Sequence, residues 1–306
     1  MKSKNKSVAV AYLGIISVIM IWGLIPSVKK ALIGGAFSAS VYMVITTFSA
    51  ALVLLIISAK HIKEINRSYF KVAIPTGLSV GVAAIVQALA YNFSASPVNQ
   101  AFLENLSCIV VPLILLVFIK KRPNLLTVVA CIVCLFSSAV LTGMFDGGVS
   151  FSTADILNAL AGVFYGINIA FTGIFAKKFN ATLYVMIQMF TQCALSFVGM
   201  IVLNLVSIGG SVVDPIIFTP KILLILAVVG VGIVTNSVCW TIRTSAMKYV
   251  SPTVVAVIMP FSAVITGLFA VIIGQDTLSS SLVIGAVLGI FASVASGIAD
   301  LPKKLK

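Results

Sequence analysis

Ten apolar stretches divide this chain, each near the roughly 20 residues that cross a bilayer as an α-helix. They run near Val8–Val28, Phe37–Ala59, Val72–Phe93, Val98–Ile119, Leu125–Phe145, Ile156–Ala176, Thr182–Ile208, Ile222–Ile242, Pro252–Ile273 and Ser280–Ala299. The spans and their short connectors use nearly the whole length, so the pattern predicts an all-α integral membrane bundle with no soluble domain left over. The first span is longer than the apolar core of a signal peptide and no small-residue cleavage site interrupts it, so it is expected to stay in the bundle. Composition agrees: 60 % of the 306 residues are hydrophobic and 9 % charged, against about 25 % charged in soluble domains.

Charge then orients the bundle. All but three of the 20 basic residues fall before the first span, after the last, or in every second connector, among them Lys60, Lys63, Arg67, Lys120, Lys121, Lys177, Lys178, Arg243 and Lys248. Lys29, Lys30 and Lys221 are on the other side, with Asp146, Asp155, Asp214 and Asp276. The positive-inside rule predicts that both termini are cytoplasmic. The formal charge of +13 follows from this orientation and from attraction to anionic membrane lipids; no basic, aromatic-rich soluble surface suggests a nucleic-acid partner.

Two segments read alike. Ser96-Pro97-Val98 through Ala101 to Pro112 aligns with Ser251-Pro252-Thr253 through Ala256 to Gly267, and Trp22-Gly23 with Tyr165-Gly166. The chain therefore divides into two five-span halves, residues 1–147 and 148–306. Because five is odd, the second half enters the membrane from the opposite side, so the repeats are inverted. Inverted repeats are the architecture of alternating-access carriers, with the site near the midplane between them.

Several motifs occur in order across these halves: Ile21-Trp22-Gly23-Leu24-Ile25-Pro26; Ala90-Tyr91-Asn92-Phe93-Ser94-Ala95-Ser96 leading into Ala101-Phe102-Leu103; Ala246-Met247-Lys248-Tyr249-Val250-Ser251-Pro252 leading into Met259-Pro260-Phe261; and Leu282-Val283-Ile284-Gly285-Ala286-Val287-Leu288. Over roughly residues 8–299 the chain resembles the drug/metabolite transporter superfamily, in particular its ten-span EamA-type permeases. The resemblance implies a plasma (inner) membrane carrier of small metabolites, often an exporter, and proton-coupled export. One departure is plain. The family's glutamate at the ends of the fourth and ninth spans is replaced by Lys121 and Asp276.

Glu104 is the one ionisable residue read as lying well inside a span, roughly 10 Å below the outer boundary at ~1.5 Å per residue. A charge there costs about 2.5–3.5 kcal/mol on insertion scales, which makes it a functional candidate by default. It suits either a proton-coupling carboxyl or the counter-ion of a cationic substrate; its plainer role is helix packing beside Asn105 and Ser107. Trp22, Tyr91 and Tyr165 could place rings around a cation, although Tyr91 fits an interfacial belt equally well. Gln87, Asn168 and Gln188 complete the candidate site: Gln87 with Tyr91, Tyr165 with Asn158 and Asn168, and Gln188 with Gln192 share helical faces. Asn158, Gln192 and Asn236 suit interhelical hydrogen bonding as well. Trp240 is expected in the cytoplasmic belt.

The remaining motifs are structural. Gly77/Gly81, Gly162/Gly166 and Gly285/Gly289 have the spacing that lets helices approach closely, and Pro26, Pro112 and Pro260 are placed to kink spans. Cys131 and Cys134 lie within a span with no second pair and no nearby His, so packing outweighs metal or redox chemistry. His61, the sole histidine, reads as an ordinary loop residue. No metal or cofactor is implied.

The expected function is thus secondary active transport, by alternating access, of small polar metabolites, with amino acids or organic amines favoured by Glu104. An uptake carrier for choline-like quaternary amines is the nearest alternative. A membrane enzyme fits poorly without paired buried acids or HExxH, as does a primary pump without GxxxxGK[ST]; a passive channel or lipid scramblase is the third class. The partners expected are a small-molecule substrate and membrane lipids, with a homodimer as a candidate assembly.

Overall fold

Short polar side chains set the helix starts. Asn66, Asn180 and Ser251 each accept a hydrogen bond from a backbone N–H in the following turn, and Ser152 forms a reciprocal capping box with Asp155, which answers N–H groups that have no partner within the helix. The computed structural model describes residues 2–33, 36–93, 103–120, 122–141, 152–208, 211–274 and 280–300. Within them the chain forms ten helices: α1 Lys2–Leu32, α2 Ala39–Ser58, α3 Arg67–Tyr91, α4 Ser107–Ile119 entered by a 3-10 turn, Glu104–Leu106, α5 Leu125–Leu141, α6 Thr153–Phe175, α7 Ala181–Leu205, α8 Ile222–Ala246, α9 Pro252–Ile272 and α10 Ser280–Asp300. They fall on the ten expected spans. Residues 94–102 of the Ala90–Leu103 motif, Lys121, Asp146, Asp276 and the C-terminal lysines lie outside the described residues.

Seven helices are long and apolar enough to cross a membrane; α4, α5 and α10 offer shorter apolar segments among the described residues. Apolar side chains cover the outside, as along α10, where Val283, Ile284, Val287, Ile290, Phe291 and Val294 are exposed. Inside lie Thr46, Thr47, Gln87, Asn158, Asn168, Gln188 and Arg243, all buried. Apolar side chains facing outward around a polar interior suit hydrocarbon as solvent, where helices satisfy their own backbone groups. The protein is a multi-pass membrane protein.

Packing is by close helix pairs: α5 on α10, α2 on α7, α3 on both α6 and α7, α1 on α8 and α9, α2 on α8, and α4 on α6. The glycine pairs act as their spacing predicts. A Cβ at Gly77 would lie 3.1 Å from the Gln188 Cα on α7, one at Gly166 would lie 3.1 Å from the Ser107 Cα on α4, and the Gly285 carbonyl accepts from Ser137 Oγ at 2.7 Å. Pro260 interrupts α9, which restarts at Phe261, whereas Pro26 and Pro112 are accommodated within α1 and α4. Cys131 donates to the Cys108 carbonyl at 3.2 Å and packs with Cys134 in a buried apolar cluster.

One end of the bundle is tied by the connector from α7 to α8. Ser38 N–H donates to Ile217 O at 3.0 Å, Thr219 N–H to Ala36 O at 2.9 Å, and Phe218 meets the buried Phe37 edge-on at 5.8 Å. Asp214, buried, accepts from Ser40 N–H at 2.8 Å in the first turn of α2, where the helix dipole favours negative charge. Asp214→Ala is expected to destabilise the protein by about 1–2 kcal/mol, read as a lower unfolding temperature in detergent; Asp214→Asn should retain part of that stability.

Candidate functional site

A cavity of about 190 Å³ lies where α1, α2, α3, α4, α6, α7, α8 and α9 converge. It extends from Ile33, Ala39 and Tyr91, at the end tied by Asp214, to Trp240, Arg243 and Met259. Packed apolar side chains of α1, α4, α8 and α9, and a second cluster on α2, α3 and α7, fill the bundle toward the other end.

At its upper end is a hydrogen-bonded chain of three residues from three helices. Lys29 Nζ donates to Gln87 Oε1 at 2.7 Å, and Gln87 Nε2 donates to Glu104 Oε1. The Lys29 ammonium lies 5.9 Å from the Tyr42 ring centroid and 5.8 Å from that of Tyr91, within cation–π reach. Glu104 sits in the 3-10 turn that opens α4, and this turn rests on α6 at Gly162, where a Cβ would meet the Leu103 carbonyl oxygen at 2.6 Å.

At the lower end Arg243 is 1 % exposed. Its guanidinium stacks 3.9 Å from the Trp240 ring and 5.5 Å from that of Trp22, and its Nη2 donates to Asn168 Oδ1 at 2.8 Å. Asn168 in turn donates to the Thr76 carbonyl at 3.1 Å, and Gln188 Nε2 donates to Thr76 Oγ1 at 2.8 Å. Tyr184 shares a 2.8 Å hydrogen bond with the same Thr76 hydroxyl. Trp22 Nε1 donates to Thr235 O at 3.4 Å, inside a π-helical stretch of α8, Ile233–Cys239. Tyr165 lies between the ends, within electrostatic reach of both Glu104 and Arg243.

Of the seven residues expected from sequence, Glu104, Trp22, Tyr91, Tyr165 and Gln87 line the cavity. Asn168 and Gln188 do not; they form the network that positions Arg243. Gln192 and Asn236 line it, while Asn158 is buried away from it. Two expectations are corrected. Trp240 is not a belt residue: it is 5 % exposed and forms a wall of the cavity, because α8 runs past Ile242 to Ala246. Nor is Glu104 the one ionisable group inside the bundle, since Lys29 and Arg243, taken as flanking charges, both face the cavity. The signal was present in the spacing. Trp22, Pro26 and Lys29 share one face of α1 at the i, i+4, i+7 intervals of a cavity-facing stripe, and Trp240 and Arg243, three apart, share one face of α8. Tyr42 carried no such signal.

Residues 152–297 match the family model of the EamA-like transporter family. A solved protein crystal structure, one of 27 matching chains, superposes with a TM-score of 0.75 over 95 % of this chain and 98 % of its own; at 17 % identity the likeness shows a shared fold. No curated protein matches the chain in sequence. Through residues 152–297, just under half of its length, the chain is thus similar to the EamA-like transporter family, a family of membrane transporters, and it carries a fold shared with a solved structure over nearly its whole length.

Proposed function

We propose that the protein is a secondary active carrier that moves small polar metabolites, amino acids or organic amines, across the plasma (inner) membrane by alternating access. The observation that carries this reading is a central cavity between helices of both halves that holds Glu104, Lys29 and Arg243, charged side chains that hydrocarbon tolerates only where they face the bundle interior or water.

The two inverted repeats, residues 1–147 and 148–306, are supported by the helix neighbours. Exchanging each helix for the one five places on returns the same contacts: α3 on α6 becomes α8 on α1, α3 on α7 becomes α8 on α2, α1 on α9 becomes α6 on α4, and the pairs α2–α7 and α5–α10 map onto themselves. Such a pseudo-two-fold pairing is the architecture in which one half rocks against the other around a fixed site. Both termini are assigned to the cytoplasm by the basic residues at that end. Glu104, the carboxylate of the cavity, is the group assigned to proton coupling in export.

Uptake of choline-like amines is a second reading, favoured by the Tyr42 and Tyr91 rings, which already hold an ammonium, that of Lys29. Counterflow in vesicles of purified protein tests both. Labelled amino acid or amine outside should accumulate transiently when unlabelled substrate is loaded inside; flux indifferent to the trans substrate would identify a pore instead.

A further inference from the structure

The ion balance of the cavity is incomplete. Lys29 and Glu104 answer each other through Gln87, but among the described residues no carboxylate lies within ion-pair distance of Arg243, the ion pair present being His61–Glu64 at an exposed connector. A guanidinium carries five N–H donors. Here one hydrogen bond is made, to Asn168, while Nε is buried with no partner. The two indole faces offset part of the desolvation, yet they accept none of these protons in the guanidinium plane. Arg243 lines the cavity at 1 % exposure, and Asn168, Thr76 and Gln188 fix it from behind. A buried, braced guanidinium of this kind has the fork geometry that fits a planar two-oxygen anion.

We propose that Arg243, braced by Asn168 and walled by Trp22 and Trp240, is a carboxylate-binding subsite, so that the ligand of this cavity carries a carboxylate rather than being a simple amine. This rests on the carrier reading only for the claim that the ligand is transported. With formal charges of plus one on Lys29, minus one on Glu104 and plus one on Arg243, the cavity has one positive charge in excess, which a monoanionic ligand neutralises and which a zwitterion pairs at Arg243 without changing the sum. The carboxylate belongs either to a monoanion or to a zwitterion whose ammonium is answered at the upper end.

Trp22 and Trp240 are the only tryptophans in the chain, so intrinsic fluorescence of the full-length protein in detergent reports on this subsite directly. Propionate, alanine, propionamide, ethylamine and chloride are titrated against the wild type, Arg243→Gln and Arg243→Lys. Propionate or alanine should shift the emission at concentrations at least about tenfold below those needed for propionamide or ethylamine, since a site built to pair with a group rejects the analogue lacking it. Arg243→Gln should erase that preference, and Arg243→Lys, which keeps the charge without the fork, should retain part of it. A lower midpoint for alanine than for propionate marks a zwitterion site and equal midpoints a monoanion site; both uphold the carboxylate. The proposal is overturned if propionamide equals propionate, if chloride equals propionate, if no carboxylate perturbs the wild type, or if Arg243→Gln keeps the preference. Counterflow on the same panel separates the two claims. A carboxylate response without exchange removes the carrier and leaves the subsite, whereas exchange of amines without a carboxylate response does the reverse.

Discussion

Replacing Glu104 with glutamine should lower transport at least tenfold, an apparent loss of about 1.4 kcal/mol or more, while leaving the helix bundle assembled. The amide keeps an oxygen where Gln87 donates, so the hydrogen-bonded chain from Lys29 survives in outline. What disappears is the negative charge. Lys29 is then a cation in the cavity without a countercharge along that chain, and stranding one partner of a buried pair costs about 3–5 kcal/mol where no water reaches it; Lys29 is half-buried, so a smaller drop in unfolding temperature is expected. Adding Lys29→Met should recover stability without recovering transport. That divergence is the informative part, because a carboxyl serving helix packing alone would regain both together. Uptake and thermal unfolding of the two single variants and the double variant, each at two pH values, give the answer. Wild-type uptake by Glu104→Gln would remove this residue from the mechanism, and loss of its pH dependence alone would assign it to proton coupling.

Gly162→Ala should be nearly as damaging, although it adds one methyl group and no charge. The new Cβ would sit 2.6 Å from the Leu103 carbonyl oxygen and 2.9 Å from that of Glu104, and both are backbone atoms that cannot swing aside. The turn bearing Glu104 must lift from α6, taking the carboxylate off Gln87. Overpacking of this kind costs about 1–3 kcal/mol. Gly230→Ala on α8 is the matched control: a Cβ there meets nothing within 4 Å, and alanine for glycine within a helix gains roughly 0.5–1 kcal/mol. The pair should therefore move unfolding temperature in opposite directions, with transport lost only in Gly162→Ala. Intact transport by Gly162→Ala would mean that the Glu104 turn can shift freely on α6.

Much of this was legible in the sequence because hydrocarbon imposes simple rules. Apolar runs of the right length gave the ten helices, small residues four apart gave the close approaches of α3 to α7 and α6 to α4, and one intramembrane glutamate pointed to the cavity. Lys29 and Arg243 were missed for a physical reason. Both stand near span ends, where a basic side chain ordinarily snorkels to the headgroups, and hydropathy cannot distinguish that from a side chain turned inward. Neighbours on the same face, Trp22 for one and Trp240 for the other, carried the distinction. Asp214 was read as a loop acid, since its role as a cap on α2 depends on a contact between connectors far apart in sequence. The π-helical stretch of α8 left no mark in composition or spacing at all.

That stretch determines which way the second half of α8 points. A π-turn accommodates one residue more than an α-turn, and one residue of an α-helix corresponds to about 100° of rotation. Everything after Cys239 is therefore turned by about that angle from where an unbroken α-helix would place it. Trp240 and Arg243 owe their aim at the cavity to this phase offset. The heading of both side chains is therefore set by the backbone ladder between Ile233 and Cys239 rather than by the helix axis alone, so that this short stretch fixes the angular index of the wall that carries Arg243.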